Sequence, residues 1–278
     1  PYLASLLPPI VALAGDRYYK TVAEALRVLS EVVRLLRPSP PAAPGFDYAS
    51  LVPPVYAVVE KRLQAQDQDQ EVKECAITCM GLLVFHLADH PSVNLPQVLP
   101  LLLERMRNEI TRVTAVKTFA LLASQTQLDI KLTTVLQPTV AELCTFLRKS
   151  NRPLRQASLT ALNTIISNHG GALSDGDVSA AVTELSALIA DSDLHVASLA
   201  LGLGKAIATA KPSSMAEPLK EIALPKALVL LQSSLLQGVA LRGVLAFLAE
   251  LVGQRLAPLP FDALMAQLLA LPNQSSLN

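Results

Sequence analysis

Residues 70–88, Gln70-Glu71-Val72-Lys73-Glu74-Cys75-Ala76-Ile77-Thr78-Cys79-Met80-Gly81-Leu82-Leu83-Val84-Phe85-His86-Leu87-Ala88, carry apolar side chains at three- and four-residue spacing around a central alanine, the pattern of a packed α-helix. The same setting returns at Thr114-Ala115-Val116, Gln156-Ala157-Ser158, Val196-Ala197-Ser198 and Val239-Ala240-Leu241, at intervals of 39, 42, 40 and 43 residues. A period near 40 is that of a stacked unit of two antiparallel helices, in which a small residue midway along one helix lets its neighbour approach. An earlier alanine, Ala25, lies 51 residues before Ala76, and the Pro-rich insertion 38–44 accounts for the excess. Apolar spacing and the Pro, Gly, Asp and Ser breaks predict pairs at 3–14 and 17–36, 47–65 and 70–88, 95–108 and 111–124, 132–149 and 152–168, 175–190 and 194–210, and 216–232 and 235–253. A last helix is predicted at 261–271. Ser174 with Asp177 reads as a variant capping box, and Ser150 before Pro153 as a helix start. The predicted fold is all-α, a HEAT/armadillo-like α-solenoid of about six helix pairs, forming one elongated array across residues 1–278.

Composition agrees. Of the 278 residues 51% are hydrophobic and only 17% charged, and mean hydropathy is +0.40, too apolar for a disordered tail. Aromatics are 4% with no Trp, which counts against an all-β architecture. Lys plus Arg and Asp plus Glu balance at 23 each, so whole-chain attraction to nucleic acid or an anionic membrane is weak. Three cysteines, Cys75, Cys79 and Cys144, argue for a reducing compartment, cytosol or nucleus. Lys226, Gln232 and Arg242 interrupt the most hydrophobic stretch, so the chain reads as soluble. Its first residue is Pro1 rather than Met, and the sequence reads as a segment of a longer array.

Catalytic and metal motifs fail on geometry. Cys75, Cys79, His86 and His90 share one helix face, but Cys79 and His86 lie about 10 Å apart along the axis, too far for one zinc ion. His86-x-x-x-His90 has Leu87 where a zinc protease needs its glutamate. Gly202-Leu203-Gly204-Lys205 lacks the strand, first glycine and Ser/Thr of a phosphate loop and reads as close helix packing. Ser192, Asp193 and His195 read as an inter-helix turn, and Asn273-Gln274-Ser275 as a glycosylation pattern idle in a reducing compartment. No cofactor, no metal and no enzyme activity are expected.

Charge placement is more informative than its total. From Glu104 to Arg155 there is a local excess of +5, and Arg105, Arg107, Arg112, Arg148, Lys149, Arg152 and Arg155 fall around the turns of the third and fourth pairs. Residues 174–193 carry five acids and no Lys or Arg. Such a basic band suits a protein partner of complementary charge. It lacks the interleaved aromatics of a nucleic-acid surface.

The runs Asp69–Gly81, Leu103-Glu104-Arg105-Met106-Arg107-Asn108-Glu109-Ile110-Thr111-Arg112, Phe146-Leu147-Arg148-Lys149 and Ser234-Leu235-Leu236-Gln237-Gly238 closely resemble the CAND family, the cullin-associated, neddylation-dissociated proteins, in order over essentially the whole sequence. The resemblance implies a non-enzymatic regulator of ubiquitin ligase assembly that binds a cullin–RING heterodimer when the cullin is unmodified and promotes exchange of substrate-receptor modules. It implies a nuclear and cytoplasmic location and a second partner, the TATA-binding protein. Residues 38–44, Cys75 and the Ala-rich 179–189 depart from the widely expressed paralogue and lean toward the second, tissue-restricted one. Family contacts with the cullin lie toward the ends of the array, so no contact residue carries over here. A generic transport-receptor or phosphatase scaffold shares the period but not these runs.

Overall fold

The computed structural model describes residues 2–37, 47–65 and 69–254, together with 262, 265, 266 and 269. These residues pack as two compact units, Pro1–Val135 and Leu136–Asn278.

The first unit holds α1 (Leu3–Ala14), α2 (Tyr19–Leu36), α3 (Val52–Gln64), α4 (Gln70–Leu87), α5 (Leu95–Arg107) and α6 (Arg112–Ala123). Each odd-numbered helix packs on the helix that follows it, while α2, α4 and α6 stack side by side. In α2 the buried positions Val22, Leu26, Leu29, Val33 and Leu36 repeat at three or four, giving one continuous apolar stripe. Each such fully buried aliphatic side chain contributes about 1.5–3 kcal/mol.

Arginine ties hold the odd-numbered helices in order. Arg62, the eleventh residue of α3, donates from Nε to the Ala14 carbonyl (2.8 Å) and from Nη2 to the Asp16 carbonyl (2.6 Å), satisfying acceptors left open at the end of α1. Arg105, the eleventh residue of α5, does the same one repeat later, reaching the Leu63 carbonyl at 3.2 Å and the Gln64 carbonyl at 3.5 Å.

The second unit holds α7 (Leu136–Leu147), α8 (Arg152–His169), α9 (Asp175–Ser186), α10 (Leu194–Ala210), α11 (Pro212–Pro218), α12 (Leu224–Leu231) and α13 (Gly238–Gly253). Here α8, α10 and α13 stack, with α7, α9 and the α11–α12 segment beside them. The eleventh residue of α7 is Phe146, and side-chain pairs replace the arginine ties: Lys211 to Asp175 at 2.8 Å and Ser233 to Asp191 at 3.2 Å.

The described residues bear out the all-helical fold and its six pairs, with local differences. In the fourth repeat the buried small residue is Ser158 rather than Ala157, which is half-exposed; the spacing of Ala76, Ala115, Ser158, Ala197 and Ala240 then becomes 39, 43, 39 and 43. Asn151, not Ser150, caps α8, its Oδ1 accepting from the Leu154 amide at 3.0 Å. Ser174 caps α9 as expected, accepting from the Asp177 amide at 3.2 Å. The helix expected at 216–232 begins at Pro212 and widens into a π-turn over Leu219–Ala223, just before Pro225, whose ring nitrogen cannot donate to the preceding turn. The helix expected from 235 begins at Gly238, whose φ of 59° suits only glycine comfortably. Of the last expected helix, 261–271, positions 262, 265, 266 and 269 are described and are helical. The insertion 38–44 and Asn273 lie outside the described residues. No single helix among the described residues is long and apolar enough to cross a membrane.

Candidate protein-binding edge

The seven basic residues expected to form one band have different local roles. In the first unit Arg105 is only 8% exposed and is committed to the end of α3, so it is a packing residue rather than a surface cation. Its backbone carbonyl accepts the hydroxyl of fully buried Thr111 at 2.6 Å, which fixes the turn between α5 and α6. Arg112 donates to the Arg107 carbonyl at 2.9 Å across that same turn, and Arg107 is exposed. Between them stands Ile110, 53% exposed, on a turn braced from both sides.

In the second unit the basic residues meet the acidic stretch. Arg148 forms a two-pronged pair with Glu184, with Nε at 2.9 Å and Nη2 at 2.5 Å, joining the end of α7 to α9. Arg152, at the start of α8, pairs with Asp193, the N-cap of α10. That guanidinium holds the Asp193 carboxyl down at about 2, and the Val196 amide it caps adds to the effect. Arg155 donates to the Lys149 carbonyl, closing the α7–α8 turn. Lys149 is exposed and makes no ion pair among the described residues. Thus two of the four cations are answered within the unit by Glu184 and Asp193, both from 174–193. The sequence shows both sets of charges; their separations of 36 and 41 residues, close to one repeat, were the signal that they meet.

Burial pushes the Cys79 thiol up to about 12 and lowers the His86 imidazole, while His90 Nδ1 accepts from the Ser92 amide at 3.2 Å. Among the described residues no group of three or more His, Cys, Asp or Glu could hold a metal ion. Asp193 faces Arg152 rather than a nucleophile. In the glycine–lysine motif, a Cβ on Gly204 would stand 3.0 Å from Phe247 Cε2, as close helix packing requires, whereas a Cβ on Gly202 would meet nothing within 4 Å. Sequence reasoning missed a groove of about 300 Å³ beside Gly202, lined by Asn163, Ser167, Lys205 and Thr209.

Comparison with known proteins supplies the lineage. Residues 1–80 match a family model described as CAND1-like, TPR repeats. Cullin-associated NEDD8-dissociated protein 1 of Arabidopsis thaliana is 47% identical over 254 residues, covering 91% of this chain and 21% of that protein. Cullin-associated NEDD8-dissociated protein 2 of Mus musculus is 41% identical over 281 residues, covering 97% of this chain and 22% of its own length. The chain therefore spans about a fifth of the length of the curated relatives it matches. A designed armadillo repeat protein superposes with a TM-score of 0.64 over 88% of this chain and 99% of its own, at 17% identity, which speaks for the fold alone. With this stacked-pair architecture and relatives aligned over nearly all of its residues, the chain belongs to the family of cullin-associated NEDD8-dissociated proteins.

Proposed function

We propose that this chain serves as part of a non-enzymatic scaffold that binds a cullin–RING heterodimer in its unmodified state and promotes exchange of substrate-receptor modules. The observation that carries the reading is the 47% identity over 91% of the chain to a cullin-associated protein. The geometry supports it, because stacked helical pairs offer broad surface with turns braced by Arg105, Thr111 and Arg155. In such a scaffold, activity is differential binding: a state of the cullin that favours the scaffold disfavours the adaptor, and the reverse holds by linkage. A nuclear and cytoplasmic location goes with this reading.

Equilibrium binding to purified cullin–RING complex, with and without its ubiquitin-like modifier, tests it. Binding that weakens on modification is the expected result, and equal binding to both forms overturns the preference. Lys149→Glu is the cleanest probe of the basic edge, since reversing Arg148 or Arg152 would also break their pairs with Glu184 and Asp193. Weaker and less salt-dependent cullin binding by that variant places the edge in the interface; unchanged binding removes it.

A further inference from the structure

The glycine–lysine motif of α10 is only half explained by packing. Gly204 sits against Phe247, but Gly202 faces open space although glycine in mid-helix costs about 1 kcal/mol relative to alanine. Its missing side chain instead enlarges the groove between α8 and α10. On the α8 wall stand Asn163 and Ser167, one turn apart; on the α10 wall stand Gly202, Lys205 and Thr209 in one stripe. The Asn163 amide makes no hydrogen bond within the described protein, so it offers both a donor and an acceptor. Lys205 is exposed and makes no ion pair among the described residues. The adjacent carboxylate, Glu250, accepts from Gln254 at 2.7 Å and Thr209 at 2.9 Å, and these bonds together with the nearby Lys205 charge hold it below the ordinary carboxylate range, so Lys205 faces one carboxylate at longer range and keeps its ammonium hydrogens for another.

We infer that this groove binds an extended, acidic segment of a partner polypeptide. The Asn163 amide engages the partner's backbone, Lys205 engages a carboxylate side chain, and Gly202 leaves room for the main chain to lie close to α10. The spacing fits. Asn163 and Ser167 are about 6 Å apart along α8, near the ~6.6–6.8 Å advance of two residues in an extended chain, so successive same-side groups of one strand meet successive side chains of the helix. A site of this size takes about two or three residues, which makes it a specificity contact within a larger association rather than a complete interface. The assignment stands apart from the cullin reading and holds or fails without it.

The test is fluorescence anisotropy of the 278-residue chain at low salt, with a fluorescein-labelled peptide of alternating glutamate and serine and the corresponding lysine–serine peptide as control. The glutamate peptide should bind and the lysine peptide should not. Lys205→Glu and Gly202→Leu should each weaken binding by about tenfold or more, with helical content and melting temperature confirming that both variants fold. Asn163→Leu should weaken binding of an uncharged glycine–serine competitor as well as the acidic peptide, because it acts on the backbone. No binding of the glutamate peptide by the unmodified chain, equal binding of both peptides, or unchanged binding by the folded Lys205→Glu and Gly202→Leu variants overturns the inference.

Discussion

A Cβ placed on Gly81 would stand 2.5 Å from the Thr118 Cγ2 methyl, so α4 and α6 approach at a separation that only a hydrogen at position 81 permits. Gly81→Ala should lower stability by about 1–3 kcal/mol, despite alanine's higher helix propensity. Thr118→Ser removes the offending methyl while keeping the hydroxyl. Combined with Gly81→Ala it should recover much of the loss. Urea denaturation of the two single variants and the double variant measures the coupling, and additive losses would contradict the contact.

Two glycines of α10, one position apart from being adjacent, should respond with opposite sign. Gly204→Ala pushes on the fully buried Phe247 ring and should lower the melting temperature, whereas Gly202→Ala fills open space and should raise stability by about 0.5–1 kcal/mol. Thermal unfolding of each variant decides.

Ser158 is fully buried and its hydroxyl has no hydrogen-bond partner among the described residues. Ser158→Ala restores the residue found at the equivalent place in the neighbouring repeats and removes an unsatisfied polar atom. A gain of about 1 kcal/mol in denaturant unfolding is expected, and a loss of that size would show that the hydroxyl is satisfied in solution.

The pairing of Arg152 with Asp193 has a direction in pH. The folded carboxyl titrates at about 2, below the unfolded value of about 3.9, so the folded state binds fewer protons between them. Its contribution is complete above about pH 4 and is lost as pH falls from there toward 2. Asp193→Asn keeps an acceptor for the Val196 amide but loses the charge, and should show a shallower fall in stability across that window. Asp193→Ala should cost about 1 kcal/mol more, through the lost α10 cap.

Most of the helical framework is legible because apolar runs at helical spacing are cut by Pro, Gly, Asp and Ser: 3–14 and 194–210 match the observed helices to the residue, and 70–88 and 95–108 to within one residue at their ends. What escaped was non-local or conformational. Alanine and serine are both small enough for the crossing at 157–158, and only the rotation of α8 shows that Ser158 faces inward. The π-turn before Pro225 keeps an apolar pattern continuous with the helices around it. Arg105 reads as a surface cation because nothing in its own helix reveals the Leu63 and Gln64 carbonyls that receive it. The groove beside Gly202 is silent in the sequence, because two glycines at i and i+2 look alike there while only Gly204 faces a packed neighbour, Phe247.

The arginine ties of the first unit make each repeat's completion depend on the next. The carbonyls that end α1 stay without Arg62 until α3 arrives, and those that end α3 stay without Arg105 until α5 does. During synthesis α1 therefore emerges with its Ala14 and Asp16 carbonyls bonded to water until Arg62 replaces it, so its last turn should gain protection from hydrogen exchange in step with its successor's docking. Neighbour-dependent closure of this kind turns a row of small, individually weak modules into a unit that melts cooperatively.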